Sequence, residues 1–390
     1  MRGPYHERTT PTDVDPLDLQ LDRLGAGPVR RRHRFPWRTR LAIGWSMGSF
    51  PAVLVLLLGI AFGPEGLGLL SPGVLALIDP AVPVALAALG VVVGLGIPLR
   101  RAQEGRLFAA ATIESLVSGA LVAGATLLIA RAVTESGALH TWMLALAAGI
   151  CASTSSGMPS SAAGTRGPAL RVKDLDARLP IVAGALLLAV AHGLSFEGGL
   201  SLAAQAGAVA LVIAVAGWLL LNDTSSETEQ RVFAVAALLL IGGVADYLSL
   251  SALLSGVIAG AFWQIAGGAA REAIERDIGY VQHPLVVILL LVAGAQVAFS
   301  PDIVAIAVAY VLFRTAGKLL GGWLAMRISR LALSGIGLHL TSPGIFGVAF
   351  AMNAVRAFGS EMSALVAIVV IGTVGSQLVS AFGRPQEDEP

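Results

Sequence analysis

A chain of 390 residues in which 55% are hydrophobic and only 13% are charged, with a mean hydropathy of +0.78, departs from the roughly one-quarter charged composition of a soluble domain. These values exclude a separate soluble domain, and a formal net charge of +1 identifies no nucleic-acid partner. The one cysteine, Cys151, lies in an apolar run and excludes both a disulfide framework and a CxxC metal site; with no Walker loop, metal-ligand cluster or catalytic Ser/His/Asp pattern in the sequence, neither a cofactor nor a metal is expected.

Residues 1–40 are polar and end in the basic run Arg30 to Arg40, which reads as a disordered cytoplasmic tail rather than a cleaved leader. Clustered arginine beside a span also suits an anionic lipid surface. Beyond the tail, apolar runs bounded by turn signals predict spans near 41–62, 82–98, 107–131, 141–165, 178–195, 201–221, 231–248, 251–267, 284–299, 302–326, 332–354 and 361–382, with a short second tail at 384–390. The basic residues sort by side. Arg100, Arg101, Arg106, Arg166, Arg171, Lys173, Arg178, Arg231, Arg271, Arg276, Arg327, Arg330 and Arg384 fall on the side of the tail, and only Arg131 and Arg356 on the other. That asymmetry predicts a multi-pass cell-membrane protein with both termini cytoplasmic.

Two polar, helix-breaking strings interrupt these spans, Thr154-Ser155-Ser156-Gly157 and Thr341-Ser342-Pro343-Gly344, 187 residues apart. Other echoes keep a similar spacing: Gly59-x3-Gly63 with Gly256-x3-Gly260, Asp79-Pro80 and Gly90 with His283-Pro284 and Gly294, and Gly119 with Gly317. In the span order above, each matched pair runs in opposite directions across the membrane. The expected fold is therefore an all-α membrane protein of about twelve transmembrane helices, a 41–383 domain holding two inverted five-helix repeats with paired broken helices. The repeats are 41–195 and 251–382, with linking helices over 201–248.

With GIAFGPEGLGLLSP, GLGIPLRR, ASTSSG, YLSLSALLSGVIAG, HPLVVILLLVAGA and RTAGKLLGGWLA in that order, the chain resembles the cation/proton antiporter superfamily, the sodium/proton exchangers and potassium-efflux carriers, from about residue 53 to 382. The resemblance implies a core domain whose broken helices cross at the midplane and move against a dimerising scaffold. It also implies a basic residue neutralising the broken-helix ends, a role that falls on Lys318. The family carries an Asp on the span after the first broken helix, whereas residues 179–195 contain no acidic residue; Asp174 and Asp176 precede that span and read as loop charges, as does Glu197 after it.

Charged residues deep in a membrane are costly and raise functional hypotheses. Glu114 and Lys318 each lie about 8 residues, roughly 12 Å, inside their spans, and Arg314 stands one turn from Lys318 on the same face. Glu114 is expected to approach one of these basic groups, as a coupling carboxylate or as the structural partner of a snorkelling lysine. His339, two residues before the second break, suits proton transfer or a neutral bond to unwound backbone. Ser153, Thr154, Ser155, Ser156, Thr341 and Ser342 supply hydroxyls for a dehydrated cation or for freed backbone groups. Asp246 reads as an interfacial charge at a tight outer turn. The expected function is secondary exchange of a monovalent cation, sodium or potassium, for protons, in a homodimer, with no enzymatic activity. An organic-anion carrier of the same architecture and a transport-inactive sensor or assembly partner are the alternatives.

Overall fold

A computed structural model describes residues 50–97, 105–133, 138–155, 168–192, 196–224, 226–331 and 336–382. The tails at 1–40 and 384–390, and Ser156 and Gly157 of the first break, lie outside the described residues. The described chain is helical throughout: α1 (Phe50–Phe62), α2 (Pro72–Ile78), α3 (Ala81–Leu95), α4 (Gly105–Val133), α5 (Ala138–Ser153), α6 (Pro168–His192), α7 (Phe196–Asp223), α8 (Glu227–Tyr247), α9 (Ala252–Ala266), α10 (Gly268–Ala295), α11 (Pro301–Ser329), α12 (Ile336–Leu340), α13 (Ile345–Phe358) and α14 (Ser363–Phe382).

Among the described residues, seven helical stretches are long and apolar enough to cross a membrane, and the α2–α3 pair, bent by 45°, makes an eighth. Helices α1, α5 and α9 are apolar but shorter. Every predicted apolar segment holds helix, yet several boundaries differ. Helix α6 starts at Pro168 and α10 at Gly268, ten and sixteen residues before the predicted spans, because their charged first turns continue the helix beyond its apolar part. The string expected to form a connection after α1 instead contains α2, started by Ser71, whose hydroxyl accepts from the Val74 amide, and by Pro72 in the first turn.

Packing gathers the helices into two bundles. Helix α4 lies against α11, α5 and α6, and α13 and α14 complete that group. Helix α3 lies against α9, α10 and α8, with α1 on α10 and α7 on α9. Helix α3 is the centre of the second bundle, buried from Val82 to Leu95.

Glycines set how closely these helices approach. A Cβ on Gly59 would stand 2.9 Å from the Gly294 Cα, and one on Gly90 would stand 3.0 Å from the Gly256 Cα, distances at which one backbone must retreat. Helix α1 thus meets α10, and α3 meets α9, backbone to backbone. The faces of Gly59-x3-Gly63 and Gly256-x3-Gly260 are therefore spent inside one chain rather than left free for a second copy. Gly256→Leu is expected to destabilise the protein by at least about 1–3 kcal/mol through overpacking, read as a lowered thermal midpoint in detergent, whereas the same change at Gly243, where a Cβ meets nothing within 4 Å, should leave the midpoint nearly unchanged.

Candidate ion-coupling site

The site begins with two helix ends. At the end of α5 the Thr154 hydroxyl donates to the Cys151 carbonyl at 2.8 Å, and at the end of α12 the Thr341 hydroxyl donates to the Leu338 carbonyl at 2.7 Å. Each bond reaches back three residues and serves a carbonyl that the terminated helix leaves without its usual donor. Ser153 does the same for Ile150 at 2.8 Å. Beyond these turns the chain is extended, and Ser155 pairs antiparallel with Pro343 in an isolated bridge. The two breaks therefore touch. Ser153 itself closes α5 and is helical, so the interruption starts at Thr154.

Helix ends of this polarity carry about half a negative charge each, and here they are buried. Arg314 answers both: its guanidinium donates to the Thr154 carbonyl at 2.9 Å and to the Thr341 carbonyl at 2.5 Å. Lys318, one turn further along α11, donates to the Ser153 carbonyl at 2.5 Å. The same ammonium lies 3.0 Å from Glu114 Oε2 and 2.7 Å from Asp176 Oδ2. Glu114, Asp176 and Lys318 are fully buried, and Arg314 is 1% exposed. Helix α11 comes near enough to α4 because Gly317 and Gly321 face it; a Cβ on Gly317 would lie 2.8 Å from the Ser118 Cα, and one on Gly321 would lie 3.0 Å from the Glu114 carbonyl oxygen.

Asp176 corrects the reading of this acid as a loop charge. Because α6 begins at Pro168, Asp176 stands more than two turns inside the helix, four residues after Val172 and four before Pro180, on its buried side. Ser115 of α4 donates to its Oδ1 at 2.8 Å. Pro180 has no N–H to offer the Asp176 carbonyl, the acceptor it would serve in an unbroken helix. The buried spacing Val172-x3-Asp176-x3-Pro180 was the available signal; the neighbours Arg171, Lys173, Asp174 and Arg178 concealed it.

The remaining expected residues divide. Ser155 donates to the Lys173 carbonyl at 3.3 Å, and Ser342 is buried at the crossing. His339 is exposed on α12 and stands apart from the buried charges. Among the described residues, no group of three or more His, Cys, Asp or Glu is arranged to hold a metal ion.

The described residues thus form an all-helical, multi-pass arrangement with two touching breaks and buried ion pairs beside them. The fold is similar to that of the sodium/proton antiporter MjNhaP1 from Methanocaldococcus jannaschii, with a TM-score of 0.60 over 94% of this chain and 98% of that one, at 16% sequence identity. No protein-family model and no curated protein sequence matches the chain. The likeness shows the antiporter fold.

Lys318 holds two buried carboxylates and a carbonyl, so its removal strands two charges in the core. Lys318→Gln is expected to cost roughly 3–5 kcal/mol. Adding Glu114→Gln should recover part of that loss, and adding Asp176→Asn as well should recover most of the rest, read as successive rises in the thermal midpoint in detergent.

Proposed function

We propose that the chain is a secondary active transporter that exchanges a monovalent cation, sodium or potassium, for protons. The observation that carries this reading is the charge balance at the crossed breaks. Arg314 offsets the two half-charges at Thr154 and Thr341. Lys318 then faces two full carboxylates, an excess of negative charge that the half positive charge at the start of α13 only partly offsets, in a buried site where uncompensated charge is expensive. One proton or one monovalent cation cancels it, and both together overshoot. Mutual exclusion of this kind is what couples opposite fluxes.

Glu114 takes the proton in this mechanism. Both Asp176 oxygens are engaged, by Ser115 and by Lys318, whereas Glu114 Oε1 is buried without a hydrogen-bond partner. The hydroxyls of Thr154, Ser155, Thr341 and Ser342 border the same crossing and are available as oxygen ligands to a dehydrated cation.

The repeat organisation supports the transport reading. Gly59 corresponds to Gly256 in the proposed repeats, and Gly90 to Gly294; the packed pairs are Gly59 with Gly294 and Gly256 with Gly90, the reciprocal contacts that an inverted pair of five-helix units produces. In this reading the chain crosses the membrane twelve times with both termini cytoplasmic, and the α4–α5–α6–α11–α13–α14 bundle moves against the α3-centred bundle to expose the crossing to each side in turn. A homodimer forms through surfaces other than the glycine faces. Asp176 brings the buried acidic and basic side chains at the crossing to two against two, which removes the excess of basic residues that, with anion-attracting helix N-termini, would favour the organic-anion alternative.

The test uses purified protein in proteoliposomes carrying a pH-sensitive dye, challenged in turn with sodium, potassium and small carboxylates. Sodium or potassium should drive proton efflux, and Glu114→Gln, which keeps Asp176 on Lys318, should fold while reducing that flux by at least tenfold. Flux driven by carboxylates alone would favour the anion carrier, and no flux with any solute would favour a sensor or assembly partner.

A further inference from the structure

The two bundles are tied together at both ends of α3. At one end, Arg356 in the last turn of α13 reaches out of its own bundle to Asp79, which lies between α2 and α3, at 2.9 Å, and to Asp246 in the last turn of α8 at 2.7 Å. One turn earlier on α13, Asn353 Oδ1 accepts from Ser251, the residue that caps α9, at 3.2 Å. At the other end, Arg178 of α6 donates to the carbonyl of Gly96, the C-cap of α3. Each arginine comes from the bundle that carries the crossed breaks, and each holds one end of the helix at the centre of the other.

The Arg356 tie stands at a cavity of about 360 Å³ whose walls come from both bundles, with Leu188 and His192 from α6 facing Leu202 and Ala206 from α7. Arg356, Asp79, Asp246, Ser251 and Asn353 all line it. The side chains of Arg356, Asp79 and Asp246 are 24%, 47% and 40% exposed. Ion pairs at such exposure are weak singly and exchange readily with water, which suits a contact that must break and re-form.

We propose that Arg356 with Asp79 and Asp246 is a conformational latch that closes this cavity, opposed by Arg178 on the Gly96 carbonyl at the other end of α3. Movement of the bundles against each other releases one tie while the other holds. The inference rests on the alternating-access reading of the two bundles, but not on which solute is carried.

The test follows access to the cavity with a membrane-impermeant maleimide. Cys151 is buried and is the sole cysteine, so Leu202→Cys in a Cys151→Ala background places one reporter thiol on the cavity wall. Arg356→Gln is expected to raise its labelling rate roughly five- to tenfold, the population shift that follows from losing an ion-pair network of this size. The Asp79→Asn/Asp246→Asn double variant should raise it equally, and Arg356→Lys should stay near the parent rate. Unchanged labelling in a folded Arg356→Gln protein overturns the latch. If that variant does not fold, the double variant decides alone, and parent-like labelling in it overturns the latch. Labelling that responds in a protein with no ion-driven flux keeps the latch and removes the exchange reading, whereas flux with unresponsive labelling does the reverse.

Discussion

A helix that stops inside an apolar bundle leaves carbonyls that neither water nor its own next turn can serve, and this chain stops two of them at one point. The remedy is a pair of cations one turn apart on α11. Arg314 holds a carbonyl from each break, which fixes their crossing, and Lys318 holds a third carbonyl at Ser153. Most other features at the centre follow from those two charges. The acids on α4 and α6 compensate Lys318, and glycines on α11 let its backbone close on α4. The short antiparallel bridge between Ser155 and Pro343 is the geometry left when both carbonyls point at one guanidinium.

In the proposed exchange, structural and coupling roles overlap at this cluster. An ammonium that stabilises a helix end is there also the group that a travelling cation must rival for the carboxylates. Stability and transport would then draw on one set of contacts, which is why the fold alone does not decide the solute.

Much of this was legible in the sequence because membranes punish polarity. Spans, breaks and the embedded Glu114, Arg314 and Lys318 all stand out as exceptions to an apolar pattern. Asp176 did not, since a charge beside Arg171, Lys173 and Arg178 reads as the watery end of a span. Its burial depends on how far α6 extends before its apolar stretch, and that is settled by tertiary contacts with α4 and α11 rather than by local composition. The glycine strings were visible, but their partners were not. Small residues at i and i+4 announce a close neighbour without saying whether it belongs to the same chain. His339, close in sequence to a break, lies on an exposed turn of α12 rather than among the buried charges.

Pro180 sits between two differently employed halves of α6. The half before it is pinned, with Asp176 on Lys318 and Arg178 on the end of α3, while the half after it carries Leu188, Ala189 and His192 to the cavity wall. A proline between them removes one rung of the backbone ladder and lowers the bending stiffness at that point. Helix α6 then behaves less as a rigid rod than as two levers on a soft joint: the cavity wall gains freedom to tilt while the acid that anchors the charge cluster stays where it is.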